Sequence, residues 1–359
     1  MKTKTAALAL FVILSTCTGF CMEHTPEAAH TPMATTSYLN PADRPFDVRE
    51  KIDEAFLSLS QQANSTWNCN GNEATYDMLQ FNEHTLVRHL ILNSANQIEF
   101  NFLDLGAGNF GWGKALTTFL DQDKDVQIHL TTTDAVINII GVRREQHSDA
   151  PCMSVGQINR YEFGGFKVEE IASEFANERF APHGFNGKKM DMIVAHFCLH
   201  HLVDPLGTFL QTYDMLKLNG WLFFNNFFFR TTDENTSKDS KLIDRTFEIL
   251  DYTGASFIMK PLINMRKHEI ILQKETEDLL QLPFQYISTC ETPIGHPFQS
   301  ETVTTFRHTG ERRKIFPELK MGHPSLIYGD HKLHDWFIEN SFLPQVPSPD
   351  LFIQVDRNI

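Results

Sequence analysis

The stretch Phe102-Leu-Asp-Leu-Gly-Ala-Gly-Asn-Phe-Gly111 constrains the fold of this chain more than any other segment. It reads as an apolar strand, a glycine-rich turn and the start of a helix. Glycine at 106 and 108 lets the main chain reverse sharply and lets a ligand lie against bare backbone. A strand feeding a helix through such a turn belongs to an alternating architecture built on a parallel sheet. The flanking sequence continues the alternation. Glu99 to Leu105 reads as a strand, Lys114 to Leu120 as a helix, and Val126 to Thr133 as a second strand closing on Asp134. Lys167 to Ile171 reads as a third strand, Met190 to His196 as a fourth, and residues 205 to 216 as a helix. The turn Lys217-Leu-Asn-Gly220 leads into a fifth strand, Trp221 to Phe228. These strands are near-continuous in apolar residues, as expected where helices cover both faces of a sheet.

Around this block the pattern weakens. Upstream, Val48, Ile52, Phe56 and Leu59 fall on one face of a helix, and Tyr76 to Asn96 repeats the pattern through Leu79, Leu86, Leu90 and Ile91. Downstream, residues 229 to 265 carry no core signal and read as an insertion able to cover a site as a lid. A helix is expected near His268 to Leu282. An antiparallel pair then follows at Phe284 to Thr289 and Glu301 to Phe306, ahead of a proline-broken extension over 309 to 359.

The first 22 residues read as an export signal. Lys2 and Lys4 form the positive start, Ala6 to Leu14 the apolar stretch, and small residues follow up to Gly19 and Cys21. The apolar stretch is shorter than the roughly 20 residues a spanning helix needs. Cleavage therefore gives an exported protein, periplasmic or secreted, with no stable membrane contact; an uncleaved anchor is the alternative. Residues 23 to 45, rich in Pro, Thr and Ala, read as a linker. The formal net charge is −14, and −16 once Lys2 and Lys4 are removed. Such a balance repels phosphate backbones, which argues against a nucleic-acid partner. Outside the signal the cysteines are Cys69, Cys152, Cys198 and Cys290, with no C-x-x-C spacing to suggest zinc or a disulfide framework.

Gly106-x-Gly108-x-x-Gly111 also fits the dinucleotide fingerprint, so the glycines alone leave a nicotinamide- or flavin-binding fold open. Asp104 separates the readings. A carboxylate two residues before the first glycine would crowd a pyrophosphate but suits a ligand ending in an ammonium group. At Asp134, the carboxylate closing the second strand can accept hydrogen bonds from both hydroxyls of a ribose. The stretch Met190-Asp-Met-Ile-Val-Ala-His-Phe-Cys-Leu-His-His-Leu-Val-Asp-Pro205 and the later Leu216-Lys-Leu-Asn-Gly-Trp221 complete the set. In these three marks the sequence, over 98 to 228, resembles the class I S-adenosylmethionine-dependent methyltransferases, of the small-molecule, type 11/25-like kind. The family's third glycine falls here at Phe110, and Asn219-Gly220 replaces its usual Pro-Gly-Gly ending.

The resemblance implies an α/β fold: a Rossmann-like, doubly wound, mostly parallel sheet with an antiparallel final strand, N-terminal helices and a C-terminal extension. The methyltransferase domain would occupy 98 to 308 behind a helical segment at 46 to 97. The cofactor would be S-adenosyl-L-methionine. Asp104, Gly106, Ala107 and Gly108 would hold its methionine portion, Asp134 its ribose, and Glu169 or Glu170 would flank adenine. His196, at the end of the fourth strand, would face the methyl group and the substrate. Asn225, Asn226 and Arg230, ending the fifth strand, are candidates to touch substrate. Methyl transfer from a sulfonium chiefly needs alignment and exclusion of water, and a general base only where the acceptor carries a proton to remove. His196 and His200 are the candidates for that base. His196, His200 and Asp204 are spaced by four, but they lack the glutamate of His-Glu-x-x-His, and the resemblance puts a strand end and loop there, so no metal is expected. The acceptor is expected to be a small molecule or a protein. A nicotinamide-dependent oxidoreductase and a catalytically degenerate member that only binds a partner are the alternatives.

Overall fold

In the computed structural model the residues described are 83–94, 97–107, 110–120, 126–134, 158–172, 188–196, 198–199, 202, 205–227, 230–231, 250, 253–262, 267–276, 284–293, 300–308, 327–342 and 352–354. The export signal, the linker, the helix expected around 48 to 59, Gly108, His200 and Asp204 lie outside them.

The first described element is helix α1 (Glu83–Asn93), followed by strand β1 (Glu99–Leu105), helix α2 (Gly111–Leu120) and strand β2 (Gln127–Asp134). An antiparallel hairpin, β3 (Ile158–Phe163) and β4 (Phe166–Ala172), comes next, then β5 (Met190–Ala195), α3 (Pro205–Met215) and β6 (Leu216–Phe227). The chain continues through β7 (Arg230–Thr231), β8 (Ser256–Leu262), β9 (Lys267–Gln273), β10 (Phe284–Pro293) and β11 (Ser300–His308). It ends with β12 (Ile327–Gly329), α4 (His331–Glu339) and β13 (Phe352–Gln354).

Ten strands form one sheet in the order β13-β12-β8-β9-β6-β5-β1-β2-β4-β3. Its centre, β4-β2-β1-β5-β6, is parallel throughout. Taken in chain order, those five strands run third-second-first-fourth-fifth, with the order reversing at β1. This is the doubly wound, Rossmann-like arrangement of an α/β protein. Beyond β6 the sheet departs from an all-parallel run. β9 is antiparallel to both β6 and β8, so β8 again points the way the central strands do.

Alternate residues of the central strands enter two cores, which is why β5 and the Trp221–Phe224 run of β6 carry apolar residues at almost every position. On one face Phe100, Phe102, Ile128, Leu130, Val168, Met192, Val194 and Phe223 pack with Leu86 and Val87 of α1, Trp112 and Leu116 of α2, and Leu333 and Phe337 of α4. On the other face lie Leu103, Ile193, Leu222 and Phe224, all buried, and Phe209 of α3 sets its ring edge-on to Phe224 at 5.5 Å. Burial of this kind contributes about 25 cal/mol for each Å² of apolar surface removed from water.

The elements expected over 98 to 228 are present, with two changes. β3 is a strand that was not expected, added at the sheet edge by its hairpin with β4. Lys217 to Gly220 is part of β6 rather than a separate turn, because Asn219 takes a left-handed backbone (φ 62°) and the register against β5 shifts between Met190 and Met192. Downstream the differences are larger. The expected helix near 268 to 282 is replaced over Lys267–Gln273 by strand β9, whose consecutive Ile270, Ile271 and Leu272 are all buried and so need cover on both faces. The stretch expected to be a coreless insertion supplies β8, with Phe257, Ile258 and Met259 buried, and β7, which pairs with β11. From the expected C-terminal extension, β12, α4 and β13 join the large sheet and its core. The antiparallel pair β10–β11 forms as expected, and with β7 makes a separate three-stranded sheet. Among the described residues, no helix is long and apolar enough to cross a membrane.

Candidate functional site

Ligands of open α/β sheets bind beyond the carboxyl ends of the strands, where the strand order reverses. Here that point is the end of β1, between β2 and β5. The turn leaving β1 is built by local chemistry. Gly106 has φ 68°, in the region that L side chains avoid, and a Cβ there would lie 2.5 Å from the Cβ of Cys198. Ala107 donates its N–H to the Thr133 carbonyl at 2.9 Å, and Phe110 donates to the Ala107 carbonyl at 2.9 Å, which closes the turn. The Phe110 carbonyl then accepts from Lys114 N at 3.0 Å, the first hydrogen bond of α2.

Phe110 occupies the family's third glycine position. It adopts a left-handed backbone (φ 62°), a conformation that glycine takes more readily than any other residue. Its ring is fully buried, packs edge-on to Phe163 at 5.6 Å, and lies over Gly113, where a Cβ would meet ring carbons at 2.5 to 2.9 Å.

Two residues before Gly106, Asp104 is 3% exposed. It pairs with Thr132 on β2 and Val194 on β5. The same sheet row continues through Glu170 on β4 to Asn159 on β3, so four buried polar residues cross the sheet on the face that α2 covers. Tyr161 donates its hydroxyl to Glu170 at 2.6 Å. Glu170 therefore stands inside the sheet, two residues before the end of β4. Glu169, on the opposite face, is held by Arg160 at 2.7 Å and Lys188 at 3.1 Å. Neither glutamate sits at the strand end where an adenine-flanking residue was expected, because the partner of Asp134 across the sheet is Ala172.

The Asp134 backbone closes β2 one residue beyond the pairing of Thr133 with Leu105, level with the glycine turn. His196 follows the last residue of β5 and is half-buried, its ring centroid 5.2 Å from that of Phe223. Asp104, Gly106, Ala107, the Asp134 backbone and His196 are thus gathered at the carboxyl ends of three adjacent strands, while Gly108 and His200 lie outside the described residues. Asn225 pairs with Glu269 near the end of β6, and Arg230 pairs with Thr305 in the second sheet.

One contact at this site escaped the sequence. Cys198, buried, donates its thiol to the Leu105 carbonyl at 2.9 Å and packs on Gly106. Ninety-two residues separate 106 from 198, and no spacing rule joins them.

Neither the protein-family models nor the curated proteins contain a match to this chain. Solved structures similar to it include methyltransferases. One is the CurJ carbon methyltransferase (14% identity, TM-score 0.35, 54% of each chain), so this chain spans about half the length of that structure. Another is a class I S-adenosylmethionine-dependent methyltransferase from Listeria monocytogenes (15% identity, TM-score 0.34, 65% of this chain and 70% of that one). A third is the plantazolicin methyltransferase BpumL in complex with SAH (13% identity, TM-score 0.37, 63% of this chain and 99% of that one).

Proposed function

We propose that this chain is an S-adenosylmethionine-dependent methyltransferase acting on a small molecule, with a protein acceptor as the alternative. The observation that carries the reading is the Asp104 carboxylate, buried in β1 two residues before the left-handed Gly106 and at the point where strand order reverses. A nicotinamide cofactor would set its pyrophosphate on this turn, beside a buried negative charge, and a low local dielectric makes that costly. The methionine end of S-adenosylmethionine brings an ammonium group instead. The antiparallel β9 beside β6 also fits the methyltransferase expectation better than the all-parallel order of dinucleotide folds.

The residues present fit the cofactor: the buried Asp104 supplies the counter-charge beside the turn at Gly106. In this reading Asp104, Gly106, Ala107 and Gly108 hold the amino-acid tail, and Asp134 accepts hydrogen bonds from the ribose hydroxyls. When bound, the sulfonium donor supplies a methyl group already activated by its positive charge. The protein's work is to align the acceptor in line with that methyl and to keep water out. In this reading His196, which follows β5, accepts a proton from the acceptor atom, and His200 is the second candidate. A degenerate binding protein is the weaker reading, since the two carboxylates that the cofactor would need, Asp104 and Asp134, are both present.

Calorimetric titration tests the proposal. The purified chain is expected to bind S-adenosylhomocysteine (SAH) and not NAD(H) or NADP(H); the reverse result overturns it. Export through residues 1 to 22 is a separate proposal, checked by fractionating native cells and their medium.

A further inference from the structure

We infer that Cys198 is a positioning residue for cofactor binding: it locks the glycine turn after β1 to the loop after β5, so that the two sides of the cofactor cleft are set as one unit. The inference rests on the methyltransferase reading and deepens it by naming a residue that the family resemblance does not.

Three observations converge on this residue. The Cys198 Cβ lies 2.5 Å from where a side chain at 106 would begin, and its Sγ lies 3.1 Å from that point, so the thiol occupies the volume that Gly106 leaves open. The same thiol donates to the carbonyl of Leu105, the last residue of β1, at 2.9 Å. One residue on, Leu199 is buried, and its carbonyl accepts from Leu202 N at 3.2 Å, which ties Leu202 to Leu199 behind the thiol. The loop that starts at His196 is therefore pinned at 198 to the turn that starts at Gly106. A shift of either would push sulfur into backbone or break the bond to Leu105. Because interiors are close-packed, a change of one or two methylenes at 198 must be absorbed by the turn. The turn is the softer partner, since Gly106 carries no side chain to resist the push.

The role is positional, not chemical. Cys198 is buried and touches backbone, so it is assigned no part in the transfer itself. It sets the geometry of the main-chain groups that meet the ligand, and through the loop it sets where His196 stands. Alignment of this kind is what a methyl transfer needs from its protein.

The test compares Cys198→Leu, which adds bulk against Gly106, with Cys198→Ser, which keeps a donor for the Leu105 carbonyl. Met259→Ala, a buried change in β8, is the control. Two readouts are taken on the full chain: SAH affinity by calorimetry, and hydrogen exchange of the Ala107 amide without any ligand. The Ala107 amide is the turn's own bond to Thr133. Cys198→Leu is expected to weaken SAH binding about tenfold or more and to speed Ala107 exchange; Cys198→Ser is expected to stay within about threefold of the parent. Met259→Ala is expected to lower the unfolding temperature while changing neither readout. Should Cys198→Leu not fold, Cys198→Ala takes its place, with faster Ala107 exchange expected from loss of the thiol's bond. If the bulky or thiol-less variant matches the parent in both readouts, or if Met259→Ala moves them as far, the inference is overturned. If the parent chain itself binds no SAH, the methyltransferase reading fails. The exchange data alone then decide whether the lock exists.

Discussion

Phe110 and Gly113 have exchanged the parts that a glycine-rich turn assigns: the phenylalanine carries the left-handed backbone, and the glycine three residues on makes room for its ring. A left-handed conformation costs a residue with a Cβ about 1–2 kcal/mol. Burying the whole Phe110 ring between Gly113 and Phe163 offsets that, since full burial of a phenylalanine contributes about 1.5–3 kcal/mol. The turn thereby keeps its course without the third glycine.

Gly113→Ala tests the exchange directly. In an exposed helix, alanine would add about 1 kcal/mol over glycine. Here its methyl would enter the Phe110 ring, and overpacking of a core costs about 1–3 kcal/mol, so the net expectation is a loss of up to about 2 kcal/mol. Urea denaturation measures it. The double variant with Phe110→Leu should recover part of the loss, because the two side chains share one space. A stabilised Gly113→Ala chain would refute the packing described.

At the opposite end of the sheet, Asp191 gathers the amino ends of three strands. It accepts from Lys217 Nζ at 2.7 and 2.8 Å, from the Asn101 N–H at 2.8 Å and from Gln97 Nε2 at 2.8 Å. Asp191→Ala leaves those donors without their acceptor in a partly buried place. A loss of about 2–4 kcal/mol in unfolding free energy is expected, with SAH affinity unchanged.

How much of this was legible in the sequence follows from which interactions are local. β1 and β5 were readable from near-continuous apolar runs, and α2, β2 and α3 from the glycine, aspartate or proline that bounds each. Their order then pointed to a candidate site at Asp104, Gly106 and Asp134. β8 and β9 were not readable as a pair. Phe257-Ile-Met259 is too short to announce a strand, and the charges following Ile270-Ile-Leu272 imitate a helical face. Both are strands because the edge of β6 needs a partner, a demand set by tertiary structure. The same holds at the site. Phe110 gave no sign of its left-handed backbone, which depends on space at Gly113. Cys198 reaches Gly106 only after the sheet has formed, and the row Asp104–Thr132–Glu170–Asn159 exists only through the register of four strands.

Asp104→Asn should separate the two ends of the cofactor. If the carboxylate meets the ammonium of the amino-acid tail, removing its charge should weaken SAH binding about ten- to hundredfold, in line with the worth of one charged hydrogen bond. Binding of 5′-methylthioadenosine, which lacks that tail, should not change. Asp134→Ala should weaken both ligands, since both carry the ribose. Calorimetry of the four pairs checks the assignment, and equal losses for both ligands in Asp104→Asn would contradict it.

His196→Ala addresses chemistry rather than binding. With an acceptor that must lose a proton, turnover should fall about 10²- to 10⁴-fold, the usual contribution of a positioned base. SAH affinity should stay near that of the parent. Full turnover in the variant would take His196 out of the proton path and leave His200 as the candidate.

His334 gives the fold a dependence on pH that is separate from the site. It lies buried on α4 with its ring stacked on Phe352 at 4.0 Å. Burial lowers its pKa from 6.5; His331 adds to the lowering, and Asp335 opposes it. The folded chain therefore holds a neutral imidazole more firmly than the unfolded chain does. Above the unfolded pKa both states are neutral, and the stability is fully present. As pH falls below that value the unfolded state takes up its proton first, and stability declines until pH passes the lower folded pKa. His334→Phe keeps an aromatic ring for the stack and removes the titration. Urea midpoints measured at about pH 7.5 and about pH 5 should draw closer together in this variant than in the parent. An unchanged gap between the two midpoints would show that other groups govern the acid side of the stability curve.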